Sequence, residues 1–394
     1  MKSDFQASRP EMLPAAGRAK TASCRIFFLT ALLLLSAGGF LLFTLPQRSY
    51  SEQENRYLNR FEVPAFSAFL DTSMQKNITD SANDQFAGRD AWMKLATGLQ
   101  RAAGFQDMGG VYFGRNGYYF ERILDSSLSQ KRYEDNLHYL EQFARENPKT
   151  RTAFFPVPPK HSIMTQELPP NAVFFDENRL YSLAASMLQE AALLDIRQEF
   201  LSFSGNRPLY FKTDHHWTMD AAYTAYAFWC RTHGETDLPL AGFQPECASR
   251  CFYGTLYSKA PDFSAQPDSF FLPSNLPDAR VFVNSEKTVS IYDRSRLESK
   301  DKYAVYFGGN FGRIDIYPEE SSQADRTLLI IKDSFANSLV PFLLSHYSQI
   351  TMLDFRYCNR PLSELMQEIH PDETLVLYEI SNFAQDRDFF KILK

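Results

Sequence analysis

Cysteine is scarce in this sequence, with five residues among 394. Small secreted scaffolds held together by disulfides use far more cysteine for their length, so that class of protein is excluded. Cys247 and Cys251 have the spacing of half a zinc site, but no second pair with zinc-ligand spacing follows. Together with Cys230 and Cys358 they allow at most two disulfides in an oxidising compartment.

The sequence also lacks an excess of positive charge. It contains 41 Lys and Arg against 47 Asp and Glu, which gives a net charge of −6. Proteins that bind nucleic acid depend on Lys and Arg to contact phosphates, so this balance argues against a nucleic-acid partner. No long run of like charge indicates an interaction tail.

One long segment without charge, residues 26–45, is present near the N-terminus. Twenty helical residues, at about 1.5 Å each, match the ~30 Å hydrocarbon core of a bilayer. The 25 residues before it contain five basic and two acidic side chains, and basic flanks stay in the cytoplasm. We therefore expect an uncleaved single-pass anchor, with the remaining chain outside the cytoplasm at a net charge of −9, which is the total of −6 without the +3 of the flank. A cleaved signal peptide is the alternative, with a weak small-residue site at 36–38.

Beyond the anchor, strand-like and helix-like segments alternate. The patterns predict strands at 151–157, 193–197, 208–213, 327–332, 350–355 and 374–380, and helices at 80–103, 131–146, 178–193, 218–233, 335–348 and 361–369. Asn116 and Gly117 predict a hairpin turn. Residues 236–322 show no regular pattern and are expected to form loops. The alternation predicts an α/β fold with helices on both faces of a sheet, and uncharged runs such as 328–331 predict buried parallel strands.

Residues 213–217 read Thr-Asp-His-His-Trp and place a carboxylate beside two imidazoles. In an extended segment Asp214 and His216 share one face, whereas His215 and Trp217 point to the other. An aspartate in this position can hold a histidine in one tautomer and stabilise its charged form. The alternatives are that Asp214 caps the next helix and that His215 is structural. Adjacent strand residues diverge and no His-Glu-x-x-His spacing is present, so we expect no metal.

Ser334 lies where the apolar run 327–331 gives way to a helix-like segment. A serine at such a turn projects its hydroxyl above the sheet, where free N–H groups of the helix can stabilise an oxyanion. An ordinary N-cap serine would occupy the same position. A nucleophilic serine needs a base and an orienting group, which Asp214 and His216 supply. We therefore predict that these three side chains converge, whereas Ser338 is packed one turn deeper.

The Asp-His-His-Trp motif, followed later by Lys332-Asp333-Ser334, resembles the protein family named after its DHHW motif. That family is related to the alginate O-acetylation proteins of the SGNH (GDSL-like) hydrolase superfamily. Shorter matching segments lie at 54–56, 84–90, 110–112, 156–160, 252–256, 329–335 and 353–357. The resemblance implies an SGNH-like three-layer fold in which Ser334 is the nucleophile, His216 the base and Asp214 the orienting carboxylate. Two features depart from the superfamily: Lys332 replaces the glycine of the Gly-Asp-Ser turn, and the Asp-x-His precedes the serine.

The resemblance also implies an activity, that of a membrane-anchored extracytoplasmic O-acetyltransferase without a cofactor. Its substrate would be a cell-envelope or extracellular polysaccharide, and the acetyl group would pass through Ser334. A membrane-bound O-acyltransferase would supply acetyl groups, because coenzyme A thioesters stay inside the cell. Candidates for contacts with substrate or oxyanion are Asn310, Asn382 and Trp217. The alternatives are a carbohydrate acetylesterase and a non-catalytic protein that binds or assembles polysaccharide.

These observations divide the chain into four regions. We expect a cytoplasmic tail at 1–25, a transmembrane anchor at 26–45, a linker and helical approach segment at 46–108, and an SGNH-like catalytic domain at 109–394.

Overall fold

The computed structural model describes residues 15–61, 73–319 and 325–394. The α-helices are α1 Ala15–Thr44, α2 Ser73–Gln85, α3 Arg89–Ala102, α4 Gln130–Glu146, α5 Lys160–Ile163, α6 Glu177–Met187, α7 Arg197–Leu201, α8 Met219–Thr232, α9 Thr255–Lys259, α10 Ala336–Leu343, α11 Leu362–Ile369 and α12 Ile380–Gln385. The strands are β1 Tyr50–Ser51, β2 Arg56–Tyr57, β3 Asp107–Met108, β4 Val111–Phe113, β5 Tyr119–Glu121, β6 Arg151–Val157, β7 Ala192–Leu193, β8 Pro245–Phe252, β9 Asp268–Pro273, β10 Ala279–Val283, β11 Lys287–Val289, β12 Arg313–Pro318, β13 Thr327–Lys332, β14 Gln349–Leu353 and β15 Glu373–Glu379.

The chain forms two compact units, one of residues 1–52 and 56–92 and the other of residues 53–55 and 93–394. Helix α1 of the first unit contains the span Ser23–Leu42, which is long and apolar enough to cross a membrane. This span overlaps the predicted segment 26–45, and its length and composition suit either a single-pass anchor or a signal sequence.

The single helix predicted at 80–103 is wrong, because α2 ends at Gln85 and α3 begins at Arg89. Gly88, between them, has φ +68°, a left-handed conformation that an α-helix does not contain.

An eight-stranded sheet forms the centre of the second unit, in the order β11-β10-β12-β14-β13-β15-β6-β7. The strands from β14 to β7 run parallel, and β12, β10 and β11 extend the sheet in antiparallel pairs. Strands β6 and β13 match the predicted bounds, and β7, β14 and β15 overlap theirs. The strand predicted at 208–213 is wrong. That segment bends and makes one isolated bridge, between Tyr210 and Trp217.

Side chains alternate across the strands and build one core on each face of the sheet. Leu328 and Ile330 of β13 belong to the core that includes α8 and α10. Leu329 and Ile331 belong to the opposite core, which includes α4, α6, α11 and α12. The three-layer α/β arrangement predicted from the alternating pattern is therefore confirmed.

Residues 236–322 were predicted to be loops, and this expectation is wrong. They contain β8 to β12, of which three extend the central sheet. These strands pair antiparallel, and polar or charged residues interrupt most of them, so they lack the apolar runs that mark the parallel strands. The two disulfides that the cysteine count allowed are also not formed, because all five cysteines, each in the described part of the chain, are free.

The carboxyl ends of β6, β13 and β15 lie at one edge of the sheet, because these strands are parallel neighbours. The residues that follow them, Lys160, Ser334 and Ser381, therefore start from adjacent positions. Ligand and active sites of parallel α/β sheets lie at this edge.

Candidate active site

Ser334, His216 and Asp214 form a continuous hydrogen-bonded relay. The Nε2 atom of His216 lies 2.7 Å from Ser334 Oγ, and its Nδ1 atom lies 2.6 Å from Asp214 Oδ1. Asp214 and His216 are buried, whereas Ser334 is partly exposed. The structure thus brings Ser334 to a carboxylate and an imidazole that lie more than a hundred residues earlier in the sequence. Both distances suit proton transfer from the hydroxyl to an imidazole that a carboxylate holds in one tautomer.

The loop that carries Asp214 is bent, so the expected extended segment is wrong. The backbone N–H of His216 donates to Asp214 Oδ1 at 2.9 Å. Aspartate side chains favour this bond to the backbone two residues later, and the bond turns the chain. The turn lets one carboxylate oxygen accept from both the backbone and the ring of His216.

The second oxygen of Asp214 is held by Thr255, at the start of α9. Oδ2 accepts from the Thr255 N–H at 2.7 Å and from its hydroxyl at 3.1 Å. A Cβ atom on the preceding residue, Gly254, would lie 2.2 Å from Asp214 Cβ, so only glycine fits there. Burial acts to raise the pKa of Asp214, but the two imidazoles and these hydrogen bonds outweigh it and hold that pKa well below its usual range.

The imidazole of His216 packs against two other rings. The ring of Tyr303 lies on it with centroids 3.7 Å apart and planes at 6°, and His215 packs against it with centroids 3.9 Å apart. His215 was expected to point away from His216, and the bent loop makes that expectation wrong. Rings held in this way restrict rotation of the imidazole about its side-chain bonds.

The side chain of Lys160 holds the backbone of the loop that carries Asp214. Its buried ammonium donates to the carbonyls of Tyr119 at 2.6 Å, Lys212 at 2.9 Å and Asp214 at 3.1 Å. Asp268 holds the same loop by accepting from the backbone and hydroxyl of Thr213. Burial lowers the pKa of Lys160 to about 7. The side-chain nitrogen of Lys160 therefore connects helix α5 to strand β5 and to the loop that contains Lys212 and Asp214.

Lys332, which replaces the superfamily's glycine, points its side chain into the protein and not into the turn. It is fully buried, and its ammonium donates to Asn337 Oδ1 at 2.7 Å and to Asn310 Oδ1 at 3.0 Å. Burial lowers the pKa of Lys332 to about 8. Asp333 braces the turn by accepting from the N–H of Phe335 at 2.9 Å.

Two groups are candidates for stabilising an oxyanion: the amide of Asn310, which is hydrogen-bonded to Lys332 at the end of β13, and the backbone N–H of Ser334. The Oδ1 atom of Asn310 accepts hydrogen bonds from Lys332 and from Asn337, and these bonds fix the plane of the amide. The NH₂ group of Asn310 belongs to an exposed side chain. No acceptor for the backbone N–H of Ser334 is found among the described residues. Asn382 is less suited, because its Nδ2 donates to Asp333 at 2.8 Å.

Trp217, a candidate for substrate contact, is placed in the interior, so that expectation is wrong. The side chain is fully buried, and its Nε1 donates to Ser338 Oγ at 2.7 Å and to the Phe335 carbonyl at 3.1 Å. Trp217 therefore anchors helix α10 beneath the relay. Ser338 is packed one turn deeper than Ser334, as predicted.

A pocket adjoins the relay on the side of His215. Its lining includes Phe120, Glu121, His215, Phe335, Glu379 and Asn382. Two carboxyl groups, three phenylalanine rings and a second imidazole, that of His161, thus share the pocket with the partly exposed imidazole of His215.

A metal at the relay is disfavoured by the hydrogen bonds already made. The ligand atoms of Asp214, His215 and His216 lie within 4.8 Å of one another, a spacing that a metal ion would accept. Both oxygens of Asp214 and both nitrogens of His216 are nevertheless engaged in the relay. The donor set is therefore arranged for proton transfer.

Several supporting residues escaped the sequence reasoning. Thr255 and Lys160 lie in short segments that matched the DHHW resemblance, which was a usable signal. Tyr303 and Asp268 lie in the stretch that was predicted to be loops, and nothing local distinguishes them. Their proximity to His216 and Thr213 arises from the tertiary fold.

Two family models match the chain. Residues 182–353 match the model described as DHHW protein, and residues 111–245 match the model described as SGNH hydrolase-like domain, acetyltransferase AlgX. The resemblance to DHHW proteins and to SGNH-like acetyltransferase domains is therefore confirmed. The search of curated proteins finds no match.

Solved structures show the same fold. A DHHW family protein from Eubacterium siraeum DSM 15702 is 19% identical with a TM-score of 0.61, and the match covers 72% of this chain and 95% of that one. Bacillus cereus PatB1, solved with a sulfonyl adduct, is 20% identical with a TM-score of 0.60, covering 72% of this chain and 98% of its own. The SGNH-like fold predicted from the motif is thus confirmed.

Proposed function

We propose that this chain is an extracytoplasmic O-acetyltransferase that modifies a cell-envelope or extracellular polysaccharide through an acetyl group on Ser334. The observation that carries the proposal is the relay in which Ser334 Oγ, His216 and Asp214 are joined at 2.7 and 2.6 Å. The match of residues 111–245 to an acetyltransferase domain supports acyl transfer as the reaction class. A binding or assembly protein would not need an ionised, buried carboxylate behind the imidazole.

In the first half of the reaction, Ser334 Oγ attacks the acetyl carbonyl of the donor while His216 Nε2 takes the hydroxyl proton. Asp214, which stays ionised, stabilises the imidazolium through Nδ1. We assign the stabilisation of the developing oxyanion to hydrogen bonds from the Ser334 N–H and the Asn310 amide. The donor's leaving oxygen then takes the proton from His216, and an acetyl ester on Ser334 remains.

In the second half, a hydroxyl of the acceptor attacks the acetyl-serine carbonyl and gives its proton to His216. The bond between the acetyl carbon and Ser334 Oγ breaks, and His216 returns the proton to Oγ. Water attacking in the same way would release acetate, which is the acetylesterase reaction. Transferase and esterase therefore differ in the second nucleophile and share the first half-reaction.

We place the reaction outside the cytoplasm on the basis of the apolar span in α1 and its basic flank. A donor on that side requires a membrane-bound O-acyltransferase as partner. Fusing a reporter to the C-terminus tests the orientation. Alkaline phosphatase, which is active only outside the cytoplasm, should be active in that fusion, whereas a cytoplasmic reporter should be silent.

The proposed nucleophile is tested by comparing wild type with Ser334→Ala. With an activated acetyl ester as donor, wild type should gain one acetyl group, and peptide mass analysis should place it on Ser334. Ser334→Ala should lose turnover by about 10⁴-fold, because members of such a relay act as a unit. An aryl sulfonyl fluoride should label the same residue, by analogy with the sulfonyl adduct of PatB1.

Ser363→Ala serves as the control, since it removes an exposed serine on α11. It should leave turnover and labelling unchanged. Wild-type turnover in Ser334→Ala would refute the acetyl-serine mechanism and favour the binding-protein alternative.

A further inference from the structure

The proton on the ring of His215 can be assigned from its neighbours. His215 Nδ1 lies 2.6 Å from Thr255 Oγ1, and that hydroxyl also lies 3.1 Å from Asp214 Oδ2. A carboxylate only accepts, so the single hydroxyl proton of Thr255 points to Asp214. Thr255 Oγ1 must then accept from His215, and the proton of the neutral imidazole lies on Nδ1.

The other nitrogen, Nε2, consequently carries a lone pair. It has no hydrogen-bond partner within the described ranges, and the side chain is 30% exposed. Burial, and secondly the neighbouring His216, lower the pKa of His215 to about 4, so the ring is neutral near pH 7. His215 lines the pocket beside the relay, whereas Thr255 does not. With Nδ1 turned to Thr255, the ring edge that remains for the pocket carries Nε2.

We propose that His215 Nε2 accepts a hydrogen bond from a hydroxyl of the sugar acceptor, which makes His215 an acceptor-binding residue and the adjoining pocket the acceptor site. This proposal rests on the proposed function, because it assigns the second substrate of that reaction. The two adjacent histidines then have separate tasks: His216 moves protons on the Ser334 side, and His215 holds the incoming hydroxyl compound.

Part of the pocket's remaining lining suits the edge of a sugar unit, and Lys160, His161 and Phe175 also line the pocket. The carboxyl groups of Glu121 and Glu379 offer oxygens to hydroxyl donors, and the rings of Phe120 and Phe335 offer apolar faces for ring C–H groups. Phe335 also touches both histidines, with ring centroids 6.0 Å from His215 and 4.9 Å from His216. A ligand in the pocket therefore lies beside the relay.

His215 adds no new bond-making step to the reaction. The acceptor hydroxyl that attacks acetyl-Ser334 gives its proton to His216, as in the proposed mechanism. The bond to His215 is made by the same or a neighbouring hydroxyl and is kept until the product leaves. Loss of this bond should weaken acceptor binding and leave acetylation of Ser334 intact.

Two substitutions distinguish the roles of the two ring nitrogens of His215. His215→Asn keeps a polar group near the Nδ1 position for Thr255 and removes the Nε2 position. His215→Gln carries a polar group to the Nε2 position and gives up the contact with Thr255. Turnover of an activated acetyl ester into acetate reports on the relay, and transfer to methyl glucoside at high concentration reports on the acceptor site.

For His215→Asn we expect hydrolysis to fall by up to about tenfold, because a ring that packs on His216 is lost, and the KM for methyl glucoside to rise by roughly tenfold in addition, the size of one lost hydrogen bond. His215→Gln should restore part of the transfer. The ¹⁵N resonances of His215 should show a proton on Nδ1 and a bare Nε2. These results support the proposal.

Equal losses of hydrolysis and transfer in both variants would overturn the proposal, since His215 would then only support His216. Absence of transfer to methyl glucoside by wild type would also count against a sugar site in this pocket. Neither result refutes the acetyl-serine mechanism, which fails only if Ser334→Ala retains hydrolysis.

Discussion

The ring of Tyr303 lies parallel to the imidazole of His216, with centroids 3.7 Å apart and planes at 6°. The Tyr303 hydroxyl donates to Ser338 Oγ at 3.0 Å, and Trp217 Nε1 donates to the same oxygen at 2.7 Å. A buried serine on α10 is thus connected through an aromatic ring to the proposed general base. The orientation of His216 depends in this way on packing in the core.

Tyr303→Phe and Tyr303→Leu distinguish the ring from the hydroxyl. Tyr303→Phe keeps the stacked ring, so acetyl-ester turnover should stay within about threefold of wild type, while stability falls by about 1 kcal/mol for the lost hydrogen bond. Tyr303→Leu removes the ring face, so kcat should fall by about tenfold through a mobile imidazole. Turnover and thermal unfolding of both variants check this. Equal kcat in the two would show that the stacked ring has no role in catalysis.

Ser338→Ala should reduce stability more than activity. The substitution leaves the buried donors of Trp217 and Tyr303 without this acceptor, which costs about 1–3 kcal/mol. The relay itself keeps all its members, so turnover measured well below the unfolding temperature should remain near wild type. Urea unfolding and acetyl-ester turnover are the measurements. A loss of turnover as large as that of Ser334→Ala would contradict the assignment of Ser334 as the nucleophile.

Lys160→Met should loosen the attachment of the loop of Asp214 to strand β5. The substitution retains bulk but removes one donor from three carbonyl oxygens, of which that of Lys212 keeps the N–H of Tyr119, at a cost of about 3 kcal/mol. We expect kcat to fall while KM for the acetyl ester changes little, because the loop positions the relay and not the donor. Lys149→Met, at an exposed lysine, is the control. If the Lys160→Met variant is destabilised but its kcat is unchanged, Lys160 has a structural role only and does not position the relay.

Asn310→Ala tests the oxyanion assignment. The substitution also removes an acceptor from the buried Lys332 ammonium and the Asn337 amide, so stability should fall by about 1–3 kcal/mol and turnover is measured well below the unfolding temperature. If its amide stabilises the transition state, kcat should fall by about 10²-fold with KM nearly unchanged. Lys332→Met should lower kcat in the same direction, because it releases the Oδ1 atom that fixes the Asn310 amide. Asn83→Ala, on the surface of α2, is the matched control, and a kcat loss no larger than this control's would exclude Asn310 from the oxyanion site.

Glu379 should make stability depend on pH. Burial raises its pKa to about 8 from the usual 4.5, so between these values the folded state binds more protons than the unfolded state. The contribution of Glu379 is therefore complete below about pH 4.5 and is lost as pH rises through 8. Glu379→Gln cannot ionise, so its stability relative to wild type should rise from pH 4.5 to 8.

Denaturant unfolding at several pH values measures this difference. Glu364→Gln, at an exposed carboxylate, should track wild type across the same range. A constant difference between Glu379→Gln and wild type would mean that the folded protein holds Glu379 ionised throughout, through its bonds from Ser381 and Asn382.

The sequence predicted those parts of the fold that depend on local patterns. The strands at 151–157 and 327–332 contain apolar runs of the kind that buried parallel strands have, and both have the predicted bounds. The antiparallel strands β10 to β12 were missed, because charged or polar residues interrupt them and leave no comparable apolar run. The break at Gly88 was missed because apolar residues continue at helical spacing on both sides of it.

The sequence by itself determined the chemistry of the relay, because Asp214, His216 and Ser334 are the side chains able to act as carboxylate, base and nucleophile in motifs of recognisable spacing. Only the tertiary structure decided how they are held. The directions of His215 and Trp217 depend on the turn that the Asp214 side chain makes. The alternation of side chains in an extended strand therefore predicted the wrong direction for His215. The partners of Lys160, Lys332 and Tyr303 come from segments distant in sequence. Such contacts follow from how helices and loops pack over the sheet, and no local pattern of residues encodes them.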